Sequence, residues 1–202
     1  MDFMRDHLEG TELDMSKDPG AGPYECPYRW RPMSFEVDGK EYVHERATAT
    51  QQTGFTFVSQ SRSWLPDAVG GVAWLSFDNP GQSPRIPVFS GTTDLPAAFG
   101  ICGQHRHRED AIVWKYRTAN KLATVRWGLT KEKINGAVAH FEEKGLSEMP
   151  FVENRYKELQ DSKGEETARA FLTGYTADFA GATILRWQEM ADEFWKMFAR
   201  GF

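Results

Sequence analysis

The sequence has few cysteines, no long apolar run and no excess of positive charge, and each shortage argues against a class of protein. Its two cysteines, Cys26 and Cys102, neither require a disulfide nor exclude one. No apolar run reaches the roughly 18 residues of a membrane helix, and no basic-then-apolar segment stands at the start, so we expect no membrane span or export signal within these residues. The formal net charge of −5 offers no basic surface for phosphates. We therefore expect no nucleic-acid or membrane partner, and the compartment stays open.

Aromatic residues, by contrast, are abundant. They make up 13% of the chain, with 14 phenylalanines and 7 tryptophans. The hydrophobic fraction of 40% and the charged fraction of 26% are ordinary for a globular protein. A chain of 202 residues is long enough for one substantial domain, with or without a helical appendage. These values predict a folded unit with a large aromatic core or groove.

Two β-type segments in the middle of the chain organise the predicted fold. Thr53–Ser61 is rich in Thr, Phe and Val, and Gly71–Phe77 contributes Val, Trp and Leu. The intervening Trp64–Gly71 contains Pro-Asp and Gly-Gly, which are typical of a chain reversal, so we predict an antiparallel pair. Phe55 and Phe57 fall on one face of the first strand, and the other face is not wholly polar. We therefore expect this strand to be covered on both sides.

A hairpin and a further strand complete the predicted sheet. Ser34–Val43 has two short β-type runs around Asp38-Gly39, the preferred dipeptide of a two-residue type I′ turn. An Asp-Asn-Pro-Gly turn then precedes a short strand at Arg85–Ser90. The sheet region is therefore predicted to span residues 34–90.

The two ends of the chain have different patterns. Asp2–Glu9 has apolar residues spaced as on one helical face, and Gly10 is placed as a C-terminal cap, which predicts a short helix. Thr11–Pro32 is a long loop rich in proline, glycine and aromatic residues. From Asp110 the apolar period changes from 2 to about 3.6, which predicts helices over residues 110–202.

Local signals divide that helical region. Thr130 is placed to cap a helix, Gly145 to end it, and Gly181 to separate two later helices. The predicted fold class is α+β: an antiparallel sheet followed by C-terminal helices that pack on it, within a single domain over residues 1–202.

The segment Glu45–Asp78, ERATATQQTGFTFVSQSRSWLPDAVGGVAWLSFD, is similar to part of the dipeptidase/secernin family of N-terminal-nucleophile cysteine hydrolases. The resemblance continues through Asp2–Thr11, Lys17–Tyr24 and Tyr28–Pro32. It is specific in the first half of the chain, whereas the last seventy or so residues match mainly in helical character. The chain resembles a C-terminal portion of such a dipeptidase, since family members are considerably longer.

The resemblance implies a fold, a reaction and a mode of catalysis. The fold would be part of a four-layer αββα sandwich, and the reaction would be hydrolysis of a dipeptide by thiolate attack on its carbonyl, with no cofactor. The family's nucleophile is the first residue of the mature protein, and its own α-amino group is the base. Neither Cys26 nor Cys102 has a free α-amine beside it. We therefore expect no catalytic residue in this chain and no activity when it is isolated.

Five residues of the best-matched segment are candidates for binding the substrate. Guanidinium and amide groups are directional donors that suit a carboxylate or a peptide bond. The alternative is that the glutamines satisfy strand edges and the arginines pair with surface carboxylates. The candidates are Arg46, Gln51, Gln52, Gln60 and Arg62, of which Arg46 is the first choice.

The segment Cys102–His107 superficially resembles a metal site. It lacks a second cysteine pair or a matching downstream set, and the neighbouring arginines would repel a cation, so a solvated loop without metal is predicted. Among the tryptophans, Trp74 and Trp114 are expected in the core, whereas Trp30 and Trp64 lie near turns and are expected to be exposed. Two histidines have no visible partner in the sequence: His7 and His44.

A second function, of a different class, stays open at this point. The aromatic loop Pro23–Pro32 and an exposed sheet would suit a non-catalytic module that associates with a partner chain, such as an amino-terminal half, or with a second copy. Half of a sandwich should expose a large apolar face and self-associate, whereas a self-standing module should not.

Overall fold

The computed structural model describes residues 2–29, 34–43 and 46–199, and it confirms the α+β class. The strands are β1 Ser34–Val37, β2 Lys40–Val43, β3 Phe55–Ser61, β4 Gly71–Phe77 and β5 Ile86–Phe89. The α-helices are α1 Asp67–Gly70, α2 Ile112–Val125, α3 Trp127–Lys163 and α4 Glu165–Ala199. Short 3₁₀ helices lie at Asp2–Arg5, Pro19–Tyr24 and Ala97–Gly100. Trp30 and His44 lie outside the described residues.

The predicted hairpin is confirmed as β1 and β2, with Val37 opposite Lys40. Asp38 and Gly39 have φ values of +52° and +74°, the left-handed pair that a type I′ turn requires. The hairpin forms a sheet of its own, so the prediction of one sheet over residues 34–90 is wrong. The reason is that every residue of both strands is exposed, and no buried face connects them to the other strands.

The larger sheet has the order β3-β4-β5, and all its neighbours are antiparallel. The predicted pairing of the two central strands is confirmed, with Phe57 opposite Leu75. The reversal between them contains the single-turn helix α1, and the Arg62 N–H closes it by donating to the Gly70 carbonyl at 3.0 Å.

The two faces of this sheet have different surroundings. Val72, Trp74 and Phe89 are buried in a cluster with apolar side chains of α3 and α4. On the opposite face, Phe55 and Phe57 are 61% and 56% exposed. The prediction that β3 is covered on both sides is therefore wrong, because β3 is an edge strand and the helices lie against the face that carries Trp74.

The helical region predicted from residue 110 is confirmed as α2, α3 and α4. The long helices α3 and α4 are connected through Gly164, whose φ is +87°. They run antiparallel, as three hydrogen-bonded pairs along their length show: Tyr156 with Glu165, Glu148 with Tyr175, and Lys133 with Glu193. None of the helices in the described ranges is both long and apolar enough to cross a membrane.

Three local helix signals were misleading. α3 continues through Gly145 and α4 through Gly181. A Cβ at Gly145 would lie 3.0 Å from the ring of Trp74, so this glycine permits the close approach of helix and sheet. Thr130 is inside α3 and donates from Oγ1 to the Ala123 carbonyl of α2 at 2.8 Å. Tertiary packing thus overrides the local preference for a helix end.

The predicted amphipathic helix at Asp2–Glu9 is also wrong. Only a 3₁₀ turn forms there, at Asp2–Arg5; none of its four residues is buried, and Phe3 is 81% exposed. Side-chain acceptors fold the following backbone differently, because Asp6 Oδ1 accepts from the N–H of Leu8 at 2.8 Å. Leu8 consequently has a φ of +63°.

Candidate functional site

Two cavities adjoin the amino-terminal loop: the larger lies against the β4–β5 turn and α3, and the smaller lies against residues 46–52. They share Pro27 and Tyr28 as a common wall. The larger cavity has a volume of about 370 Å³ and the smaller about 20 Å³. The first has room for a small organic molecule, and the second for little more than one water molecule.

Tyr28 separates the two cavities and is itself buried. Its ring packs edge-to-face against the rings of His7 and Trp127, whose centres lie 4.8 and 5.2 Å from its own. Burial raises the pKa of its phenol, and the neighbouring Asn79 side chain opposes that rise. A Cβ at Gly81 would lie 2.6 Å from the phenol oxygen. The turn after β4 therefore needs a glycine at this position.

Asp78, at the start of that turn, is the centre of a buried polar network. Its Oδ1 accepts from Arg117 Nε at 2.6 Å, and its Oδ2 accepts from Asn120 Nδ2 at 2.9 Å. Burial raises the pKa of the Asp78 carboxyl, and the nearby Arg117 guanidinium opposes that rise. A buried acid is tolerated here because both of its oxygens have donors.

Asn120 extends the network to the last helix. Its Oδ1 accepts from Trp187 Nε1 of α4 at 2.9 Å, and its Nδ2 also donates to Ser83 Oγ at 2.9 Å. Its backbone carbonyl accepts from Gln82 Nε2 at 3.1 Å. One residue of α2 thus joins the β4–β5 turn to α4.

Three of the five predicted substrate-binding residues line the smaller cavity: Arg46, Gln51 and Gln52. Arg46 is exposed and has no ion pair with any residue that the structure describes. Gln52 is exposed and accepts from Thr50 Oγ1 at 2.7 Å. Gln51 is buried, its Oε1 accepts from Lys121 Nζ at 2.6 Å, and its Nε2 donates to the Arg29 carbonyl. Only Arg46 and Gln52 are therefore accessible to a ligand.

The other two candidates lie away from the cavities and contact the protein itself. Gln60 Oε1 accepts from Trp74 Nε1 at 3.2 Å. Arg62 is 8% exposed, donates to the Val69 carbonyl at 2.7 Å and forms an ion pair with Glu153 of α3. These contacts hold the β3–β4 reversal against α3.

His7, which lines the larger cavity, has a partner that the sequence pattern did not reveal. Its Nδ1 lies 3.1 Å from Glu9 Oε1, and its backbone N–H donates to Glu9 Oε2 at 2.9 Å. Burial lowers the pKa of His7, and the Glu9 carboxylate opposes that effect. With Nδ1 donating to Glu9, the neutral ring has a lone pair at Nε2. That atom is buried and has no hydrogen-bond partner among the described residues.

Charged side chains of both signs surround the larger cavity. Lys131 Nζ lies 3.3 Å from Glu25 Oε2, and Arg5 forms an ion pair with Glu142. Arg5 also donates from Nε to the Pro80 carbonyl at 3.2 Å. The cavity wall thus connects α3 to the turn after β4.

Neither cysteine has the surroundings of an activated nucleophile. Cys26 is buried, and its thiol donates to the Tyr28 carbonyl at 3.7 Å. Burial raises the pKa of this thiol, which keeps it from becoming the reactive thiolate. Cys102 is exposed in the loop before α2, and no side chain of the described ranges hydrogen-bonds to it. Residues 2–29, 34–43 and 46–199 also bring together no group of three potential metal-ligating side chains.

Sequence reasoning missed both the Asp78 network and the His7–Glu9 pair. The network had a visible signal, because the stretch from Asp78 to Ser83 carries several hydrogen-bonding side chains between two apolar strands. The His-x-Glu spacing was visible too, but the pairing depends on the left-handed backbone of Leu8, which no pattern of leucine predicts.

Comparison with known proteins adds one finding. The sequence profile of peptidase family C69 matches residues 1–140, which include the residues lining both cavities. No curated protein matches the chain. The match covers well over half of the 202 residues and agrees with the resemblance to the dipeptidase/secernin family. The chain therefore belongs to peptidase family C69, a family of cysteine peptidases.

Proposed function

We propose that this chain acts in the hydrolysis of dipeptides by supplying substrate-binding groups to a cysteine nucleophile that lies outside the described residues. The observation that carries the proposal is the state of its two cysteines within a cysteine-peptidase family. Cys26 is a buried thiol bonded to a carbonyl, and no base among the described residues is hydrogen-bonded to Cys102. Amide hydrolysis by cysteine needs a thiolate that an adjacent base generates.

Arg46 is proposed to bind the carboxylate of the dipeptide. Its side chain is exposed beside the smaller cavity, where Gln52 offers an amide. A guanidinium can donate two parallel hydrogen bonds to a carboxylate, which fixes both position and orientation. Arg46→Lys should therefore raise the KM for a dipeptide more than it changes kcat, since the charge stays and the two-pronged geometry is lost.

The open face of β3 is proposed to pack against the polypeptide that carries the nucleophile. Phe55 and Phe57 lie two residues apart on this face and are both more than half exposed. Adjacent exposed aromatics on a sheet face favour an association surface over a solvated one. A second copy of this chain is the alternative partner for this face.

The test is complementation. We expect no hydrolysis of L-alanyl-L-alanine by the purified chain alone and measurable hydrolysis after mixing with the amino-terminal half of a related dipeptidase. Phe57→Ser should prevent the gain. The matched control is Phe151→Ser, because Phe151 is 62% exposed on α3, away from the sheet face.

Two results would contradict the proposal. Hydrolysis by the chain alone that Cys26→Ser or Cys102→Ser abolishes would place the nucleophile within it. No hydrolysis with or without the added half, together with a stable monomer in solution, would favour the non-catalytic module.

A further inference from the structure

We infer that the larger cavity, lined by His7, Glu9 and Lys131, is a separate binding site for a small zwitterion with an ammonium group and a carboxylate. It is distinct from the smaller cavity beside Arg46, from which Pro27 and Tyr28 divide it. Neither the family match nor the sequence pattern assigns a ligand to it.

The charge distribution of the wall selects the ligand class. Lys131 and Arg5 contribute cations, and Glu9 and Glu25 contribute carboxylates. A phosphate or another simple anion would face the two carboxylates, and a simple cation would face the two basic groups. A zwitterion satisfies both signs at once, because its carboxylate can lie near Lys131 and its ammonium near Glu9.

The size and apolar lining fit a molecule of this kind. The volume of about 370 Å³ is near the lower end of small-molecule sites. Trp127, Val138 and Ala139 provide apolar wall beside the charges, which suits a short aliphatic side chain. A macromolecular ligand would need a longer groove.

His7 provides a hydrogen-bond acceptor that nothing in the described protein uses. Its Nε2 is buried without a partner, and an unpaired buried polar atom is costly. Because Nδ1 pairs with Glu9, Nε2 accepts rather than donates. A small turn of the His7 ring, which lines the cavity, would bring this buried atom to an ammonium N–H of the ligand.

The loop that carries His7 is held in one shape before any ligand arrives. The N–H of Met15 donates to the His7 carbonyl at 3.1 Å, and the N–H of Gly10 donates to Asp14 Oδ2 at 3.2 Å. Leu8 keeps its left-handed conformation within this network. Non-glycine residues held in this region cost about 1–2 kcal/mol each and are frequent at binding sites.

A dipeptide and a free amino acid both carry an ammonium group and a carboxylate. Their choice as probes rests on the proposed function, which is dipeptide hydrolysis. The experiment titrates the whole chain, labelled with ¹⁵N at histidine, with L-alanyl-L-alanine and with L-alanine. Only 5 histidine rings contribute signals, and His7→Gln identifies the one of interest. N-acetyl-L-alanine, which lacks the ammonium, and L-alaninamide, which lacks the carboxylate, test the two charged groups separately.

We expect the His7 Nε2 signal to shift with the dipeptide, the amino acid or both, and each blocked probe to bind about tenfold more weakly. If L-alanyl-L-alanine binds more tightly than L-alanine, the natural ligand is a dipeptide; the reverse order identifies a free amino acid. Lys131→Gln should weaken binding about tenfold, whereas Lys133→Gln should change it less than twofold. Lys133 is the matched control, because it lies two residues further along α3, pairs with Glu193 and does not line this cavity.

The inference fails if no probe shifts the His7 signal at millimolar concentration, if the blocked probes bind as well as the zwitterions, or if the two lysine variants are equivalent. These titrations involve no hydrolysis, so their result is independent of the complementation test. Complementation without binding would refute this site alone, and binding without complementation would refute only the proposed function.

Discussion

The loop-and-sheet region before residue 90 and the helical pair α3–α4 hold their shapes by different means. All the left-handed non-glycine residues in the described part of the chain lie in the first region: Leu8, Glu25, Asp38 and Asp78. The helical pair has a single left-handed residue, Gly164, at its connection. Local side-chain hydrogen bonds set the backbone in the first region, whereas regular helices and apolar packing set it in the second. The larger cavity lies where the loop-and-sheet region meets the first turns of α3, whereas the smaller lies within that region.

The helical pair nevertheless supports the loop-and-sheet region, through a direct hydrogen bond to β5 and through two hydrogen bonds to α2. Trp187 of α4 donates to Asn120, and Thr176 Oγ1 donates to the Pro87 carbonyl of β5 at 3.0 Å. Thr183 Oγ1 lies 2.6 Å from Tyr116 OH of α2. The family match ends at residue 140, so these supports lie beyond the matched residues. The comparison shows that α4, which lies outside the family-matched segment, supports the network around Asp78 through Asn120.

The largest effect should come from removing the centre of the polar network. Asp78→Ala leaves Arg117 and Asn120 without their buried acceptor and places alanine in a left-handed conformation. We expect the free energy of unfolding to fall by about 3 kcal/mol or more, measured by urea denaturation. Asp94→Ala, at an exposed aspartate, should change it by less than about 0.5 kcal/mol. Equal effects of the two substitutions would show that the network does not stabilise the fold.

A glycine substitution in each region should have opposite effects. Gly81→Ala places a methyl group 2.6 Å from the Tyr28 hydroxyl and should cost about 1–3 kcal/mol. Gly136→Ala, inside α3, adds a Cβ that would meet no described atom within 4 Å beyond the local helix backbone, and it should stabilise the protein by about 0.5–1 kcal/mol through the higher helix propensity of alanine. Thermal denaturation of both variants measures the two changes in stability. A stabilising Gly81→Ala would contradict the tight packing described at Tyr28.

Removing the connection from α4 to the network should reduce the free energy of unfolding by less than removing Asp78 at its centre. Trp187→Phe keeps most of the buried ring and removes the N–H that donates to Asn120 Oδ1, so we expect a loss of about 1–2 kcal/mol in urea denaturation. Trp195→Phe makes the same chemical change at a side chain that is 66% exposed and serves as the control. If both variants were equally stable, the hydrogen bond to Asn120 would contribute nothing.

The smallest expected effect is a pH dependence located in the first region. Burial lowers the pKa of His7 below its ordinary value of 6.5, so the unfolded chain binds more protons than the folded one just below that pH. The free energy of unfolding should therefore decrease as the pH falls below about 6.5, by at most about 1.4 kcal/mol per pH unit from this group.

His7→Gln should reduce that decrease below about pH 6.5, measured by urea denaturation at several pH values. His140→Gln, the same substitution at an exposed histidine of α3, is the control. An unchanged slope in His7→Gln would mean that other groups account for the acid sensitivity.

Prediction from the sequence succeeded where residues close together in the chain determine the local structure. Asp38-Gly39 specified the hairpin turn, and the Pro-Asp and Gly-Gly signals between the two central β-type segments predicted their antiparallel pairing. It failed where distant residues decide the outcome. The exposure of Phe55 and Phe57 depends on which sheet face the helices cover, and the continuity of α3 through Gly145 depends on Trp74. Among the substrate-binding candidates, burial separated Gln51 and Arg62 from Arg46 and Gln52.

The sequence by itself thus determined the α+β class, the hairpin, the antiparallel central strands, the helical C-terminal region and the resemblance to the family. These depend on backbone preferences and apolar periods that act over a few residues. Only the tertiary structure decided that Asp78, Arg117, Asn120 and Trp187 form one buried network and that His7 lines a cavity beside Lys131. The reason is that a buried polar group needs partners that arrive from distant parts of the chain, and their positions exist only once the core has packed.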